Sequence, residues 1–230
     1  RFHALGLQPS YQTWSAGGSS NRNVIGTLPG TMATAGIVVV CAHIDDMPSG
    51  ATAPGADDNA SGSVAVLAAA EIMASRSFER TVRFVIFTGE EQGLLGSEIC
   101  AQAAQAAGDD IVAVLNLDML GWDGDNDNRL KLYVRPTSDA GHAGDQLVAP
   151  AFREISEPPA RLCKGLIALK CGFRHDQVRQ RLDLGELVQV GHARLDALEV
   201  GLAVVSLLAQ GGQEAGRRGV ERALQAQLLP

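Results

Sequence analysis

Residues 36–45 read Gly36-Ile37-Val38-Val39-Val40-Cys41-Ala42-His43-Ile44-Asp45. An uninterrupted apolar run of this length, rich in β-branched residues and entered through a glycine, predicts a strand buried on both faces. The run stops abruptly at a histidine and an acid. In open α/β sheets, sites form beyond the carboxyl ends of the strands, so chemistry is expected from the residues just past each strand.

The same pattern recurs outward from this segment. Residues 24–28, 81–88, 111–117 and 130–134 are short apolar runs near Gly, Asn, Asp or Pro, and read as strands. Between them, residues 61–75 and 94–106 are alanine-rich with helical spacing, and Asn59 and Ser61 are candidate caps for the first. Residues 144–155 and 185–209 read as further helices, the latter carrying Leu187, Val188, Leu195, Leu198 and Leu202. Alternating strands and helices predict a three-layer α/β/α sandwich with a mostly parallel central sheet. The chain of 230 residues fits one domain, expected over 1–209, with 210–230 as a loosely attached tail.

Composition narrows the function. Apolar residues make up 46% of the chain and charged residues 20%, a balance that supports a packed core. The net charge of -7, without a Lys/Arg run, argues against nucleic acid as a partner. No apolar run approaches the roughly eighteen residues of a membrane span, so no membrane partner is expected. Arg1 stands where a Met would, so a removed leader is expected, and with it a secreted or periplasmic location. Cys41, Cys100, Cys163 and Cys171 show no CxxC spacing, which argues against a thiolate metal site. Cys41 and Cys100 read as core, while Cys163 and Cys171 are either a pair or two thiols. No GxSxG elbow and no internal repeat is present.

The strand ends agree with one another. His43-Ile44-Asp45 comes after the strand at 36–42, Gly89-Glu90-Glu91 after 81–88, and 111–117 runs into Asp118-Met119. Between the first two lies Pro54-Gly55-Ala56-Asp57-Asp58-Asn59-Ala60-Ser61-Gly62, adjacent carboxylates in a turn that leads into a helix. Each fragment alone has an ordinary explanation as a capped turn or a solvated loop. Together, at successive strand ends, they call for a cation, because clustered buried carboxylates are costly without one. Histidine nitrogen and carboxylate oxygen suit zinc better than calcium.

These motifs carry a resemblance. The segment 23–119, through Ala42-His43-Ile44-Asp45, residues 54–62, residues 88–97 (Thr-Gly-Glu-Glu-Gln-Gly-Leu-Leu-Gly-Ser) and Asn116-Leu117-Asp118-Met119, resembles the zinc aminopeptidases that include bacterial leucyl aminopeptidases. Glutamate carboxypeptidases and glutaminyl cyclases are relatives of that family. The resemblance implies a peptide substrate and two zinc ions: His43 and Asp118 on one, Glu91 on the other, and Asp58 bridging them. It further implies that Asp45 orients His43, that Glu90 is the general base toward a zinc-bound water, and that the Asp58–Asn59 peptide bond is cis. The family's remaining ligand is a histidine preceded by an aromatic and followed by Thr, shortly before the last long helix. No such triplet occurs in this chain, and His175, in Gly172-Phe173-Arg174-His175-Asp176, is its positional substitute. The function implied is an aminopeptidase acting next to a free N-terminus. The alternatives are a carboxypeptidase or dipeptidase of the same superfamily, a cyclase, and a binding module that keeps the fold without activity.

Overall fold

The computed structural model describes residues 1–48, 50–51, 55–120, 130–139, 142, 145, 165–171 and 187–189. Eight strands form one sheet: β1 (Gln8–Ala16), β2 (Ser19–Leu28), β3 (Ile37–His43), β4 (Thr81–Phe87), β5 (Ile111–Asp118), β6 (Leu130–Tyr133), β7 (Gly165–Cys171) and β8 (Leu187–Gln189). Their order across the sheet is β1-β2-β4-β3-β5-β7-β6-β8. Two α-helices are described, α1 (Gly62–Met73) and α2 (Leu95–Ala107).

The β-branched run at 37–42 lies where its composition places it. β3 is parallel to both neighbours, β4 and β5, and Val38, Val40 and Ala42 are fully buried. These three side chains join Phe84, Leu115 and Met73 in the core beneath α1. The alternate residues Val39 and Cys41 join Val85 in a second cluster on the other face. Asn23 lies two residues from Ile25, which packs on this second cluster, and bonds to the Gly96 carbonyl of α2. Successive strand side chains alternate faces, so α1 and α2 cover opposite faces of the sheet.

The sheet is mixed rather than mostly parallel. Parallel pairing holds for β4-β3-β5 and for β6-β7, whereas β1-β2, β2-β4, β5-β7 and β6-β8 pair antiparallel. The main cause is a hairpin, β1-β2, laid along one edge. Its two-residue turn is Gly17-Gly18, both at positive φ, with Ala16 opposite Ser19. That backbone matches the twist of antiparallel strands, and glycine adopts it without steric penalty. β1 shows no apolar alternation in sequence because it is an edge strand exposed over most of its length.

Two further corrections fall in the last third. Leu187–Gln189 is a strand, so the helix expected over 185–209 does not begin at 185, and the rest of that helix lies outside the described residues. Residues 165–171 form a strand in a stretch where the sequence pattern assigns none. The helix expected at 144–155 and the tail 210–230 lie outside the described residues, Asp145 apart. Among the described residues no helix is long and apolar enough to cross a membrane.

Candidate metal centre

β3 lies between β4 and β5, so the residues leaving three adjacent strands meet at one edge of the sheet. His43 is the last residue of β3, pairs in register with Phe87 of β4, and is only 4% exposed. Its backbone carbonyl accepts a hydrogen bond from Ser63 Oγ of α1 at 2.8 Å. Its Nδ1 lies 3.0 Å from the Asp45 carbonyl oxygen. A carbonyl can only accept, so Nδ1 carries the proton and, in the neutral ring, Nε2 keeps the lone pair. Nε2 faces Asp58 Oδ1 at 3.3 Å and Asp118 Oδ1 at 3.6 Å.

Asp58 belongs to an irregular turn, Ala56–Ser61, in which Asp58 and Asn59 leave helical geometry and the bond between them is cis, as the resemblance implied. The turn is stitched to the end of β5. Asn59 Nδ2 donates to the Leu117 carbonyl at 2.9 Å, and Asn59 Oδ1 accepts from Gly62 N at 2.9 Å and Met119 N at 3.2 Å. Ser61 Oγ donates to the Asp57 carbonyl at 2.7 Å and accepts from Leu120 N at 3.0 Å. The expected cap role of Asn59 is therefore half of what it does; the other half fixes Asp58 beside Asp118.

Glu90 and Glu91 lie in a turn that follows β4 after Thr88 and Gly89. Asp45 touches this segment as well as the histidine: its Oδ2 accepts from Glu91 N at 3.1 Å, while its Oδ1 is 3.8 Å from His43 Nδ1. Asp45 thus orients His43 through its backbone carbonyl and holds the Glu90–Glu91 segment through its carboxylate. Ligand atoms of His43, Asp58 and Asp118 lie within 4.8 Å of one another, and so do those of His43, Glu90 and Glu91. Six of the residues singled out in the sequence, Asp45 among them, are brought together; His175 lies outside the described residues.

The electrostatics are those of a site with surplus negative charge. Burial raises the Glu90 carboxyl above its usual range, with neighbouring Asp118, Glu91 and Asp45 adding to the rise and His43 opposing it. Burial also raises Asp58, helped by Asp118, and raises Glu91, helped by Asp58. Burial alone would lower His43, but its approach to Asp118 and the charges of Asp118 and Glu90 lift it to about 9. Asp45 Oδ1 and Asp118 Oδ1 are buried yet accept no hydrogen bond. A buried acceptor left unpaired is costly, and a cation between Nε2, Asp58 and Asp118 would satisfy Asp118 Oδ1, whereas Asp45 Oδ1 lies on the Nδ1 side of the ring. One imidazole nitrogen with several carboxylate oxygens fits zinc.

Elsewhere, Cys41 is a core residue as expected, whereas Cys100 is only half-buried on α2. Cys41 is buried, and burial pushes the Cys100 thiol up to about 11, far from a reactive thiolate.

Known proteins resemble this chain in sequence and in fold. A probable leucine aminopeptidase of Trichophyton verrucosum is 37% identical over 161 residues, which cover 66% of this chain and 41% of that protein. The chain thus spans about two fifths of the length of this curated relative. The Legionella pneumophila LapA aminopeptidase superposes with a TM-score of 0.61 at 22% identity, covering 91% of this chain and 63% of that one. BSAP, a zinc aminopeptidase from Bacillus subtilis, superposes with a TM-score of 0.56 at 18% identity, covering 87% of this chain and 53% of that one. At such identities these two show the fold. Residues 23–161, more than half of the chain and the part that holds every site residue just described, match the profile of peptidase family M28, and the chain belongs to that family.

Proposed function

We propose that this chain carries the catalytic site of a zinc-dependent aminopeptidase that hydrolyses the peptide bond next to a free N-terminus. The observation that carries this reading is the pairing of His43 Nε2 with Asp58 Oδ1 and Asp118 Oδ1 at 3.3 and 3.6 Å, with Glu90 and Glu91 alongside. His43, Asp58 and Asp118 would hold one zinc ion. Glu91 and shared Asp58 would hold a second, with His175 as the remaining ligand. When bound, zinc would polarise the scissile carbonyl and make the attacking water more acidic.

The chain's own residues supply the rest. Glu90 is the general base: its carboxylate takes a proton from the attacking water and returns it to the leaving amine, so no covalent intermediate is required. A carboxyl raised by burial and by neighbouring acids is better suited to hold that proton between the two transfers. In this reading Glu90 and Glu91 divide the work, Glu91 as a ligand and Glu90 as the base. Asp45 keeps His43 in the tautomer that presents Nε2.

The test is hydrolysis of aminoacyl-p-nitroanilides before and after exhaustive chelation. Activity is expected to vanish with the metal and to return with zinc, and N-acetylated substrates are expected to be inert. Full activity with metal absence confirmed would remove the metal from the mechanism. Cleavage from the carboxyl end of blocked peptides would instead support a carboxypeptidase.

A further inference from the structure

The segment 88–96 carries Glu90 and Glu91, yet the β2–β4 ladder beside it stops at Val24 opposite Ile86. Past that point, side chains of the edge hairpin replace the ladder. Trp14 Nε1 of β1 donates to Thr88 Oγ1 at 3.1 Å, and that hydroxyl donates in turn to the Arg22 carbonyl at 3.1 Å. Asn23 Oδ1 of β2 accepts from Thr88 N at 3.3 Å, and Asn23 Nδ2 donates to the Gly96 carbonyl at 2.8 Å and to Gln12 Oε1 at 2.9 Å. Asn23 is fully buried with both ends of its amide used, and Trp14 is 5% exposed.

The two feet of the segment therefore rest on two side chains. The fit is close: a Cβ on Gly89, which has φ +78°, would lie 2.6 Å from the Trp14 ring, and one on Gly96 would collide with Asn23 Oδ1. Inside the segment, Gly93 N and Leu94 N both donate to the Glu90 carbonyl at 2.8 Å, and Leu95 N donates to the Gly89 carbonyl at 2.8 Å. The backbone of Glu90 is thus fixed from within the segment, and the segment is fixed from the hairpin.

We infer that Trp14 and Asn23 are positioning residues that set the placement of the Glu90 carboxylate by clamping both feet of segment 88–96, at Thr88 and Gly96. The inference rests on Glu90 being the base proposed above. A displacement of the order of 1 Å at a reacting group can cost about 10²-fold in rate, so a clamp on the base's own segment has a kinetic consequence that remote packing lacks.

Two variants test it in the zinc-loaded full chain. Trp14→Phe keeps a ring against Gly89 and deletes the N–H; Thr88→Val deletes the acceptor from the other side. Amide exchange of Gly93, Leu94 and Leu95 is expected to accelerate about tenfold in both, while exchange in β3, β5 and α1 stays as in the wild type. Zinc bound tightly at His43, Asp58 and Asp118 is expected to be unchanged, and kcat to fall roughly tenfold or more at unchanged KM. Thr88→Ser, which restores the hydroxyl, is expected to recover both readouts. If Trp14→Phe does not fold, Thr88→Val and Thr88→Ser decide. Unchanged exchange of the segment, or normal kcat in a segment shown to be loosened, overturns the inference. If the wild type itself hydrolyses no aminoacyl substrate, the peptidase reading fails, and the exchange measurements still decide whether the hairpin clamps the segment.

Discussion

At the scale of single residues, the two groups to vary are the base and the histidine. Glu90→Gln keeps the shape and removes the capacity to take a proton. It is expected to lower kcat by about 10²-fold or more while zinc content stays at the wild-type level; near-normal turnover would take the base role away from Glu90. His43 gives a pH dependence whose sign is set by its raised value. In the metal-free protein its proton favours the folded state, a contribution complete below the ordinary value of 6.5 and lost as pH rises through about 9. Zinc must displace that proton from Nε2, so zinc affinity is expected to rise with pH by up to about tenfold per unit across this window, then to level off. Competition against a chromophoric chelator at several pH values measures this, and a flat affinity would mean that Nε2 is not a ligand. His43, Asp58, Glu90, Glu91 and Asp118 were legible in the sequence because each belongs to a motif at or between strand ends. The second role of Asp45 was not, because its partner, Glu91 N, is 46 positions away and reached only through the β3–β4 pairing.

At the scale of elements, the turn that carries Asp58 depends on Asn59. This side chain is fully buried and holds three backbone groups: the Leu117 carbonyl, Gly62 N and Met119 N. Asn59→Ala leaves all three without their partner. At about 1–3 kcal/mol for each buried group unsatisfied, the loss is expected to reach about 3 kcal/mol or more in denaturant unfolding of the metal-free protein. Ser61→Ala removes one weaker tie and is expected to cost about 1 kcal/mol. An Asn59→Ala variant within about 0.5 kcal/mol of the wild type would show that the turn is held otherwise. The elements themselves were legible where hydrophobicity is dense, as in β3, β4, β5 and α1. β1 escaped because Gln8, Pro9, Ser10, Gln12 and Thr13 give an edge strand with little to bury, and the Gly17-Gly18 turn was its only local signal. β8 escaped because Leu187 and Val188 fit a helix equally well, and what decides is β6, whose partner Tyr133 lies over fifty residues upstream.

At the scale of the whole molecule, the metal joins parts of the chain that are distant in sequence. His43 ends β3, Asp118 ends β5, and Asp58 is tied to β5 by Asn59 and Ser61, so the three proposed ligands of one zinc are held in place by the sheet. The other zinc would have Glu91, on a segment held by Asp45 and the hairpin, and would share Asp58. Its remaining proposed ligand, His175, comes from the third of the chain where the family's aromatic-His-Thr triplet is absent. Three preset protein ligands make an adequate zinc site, and one ligand plus a shared one does not. Titration of the metal-free protein is therefore expected to show two unequal steps, a tight one and a weaker one. Binding in the tight step stabilises by about 2.7 kcal/mol at a free zinc concentration of about 100 times Kd, which in a chain of this size raises Tm by roughly 5–11 °C. His175→Ala is expected to weaken the second step and leave the first, together with its share of the Tm shift, in place. Two equally tight ions, both indifferent to His175→Ala, would refute the asymmetry and the assignment of His175 at once.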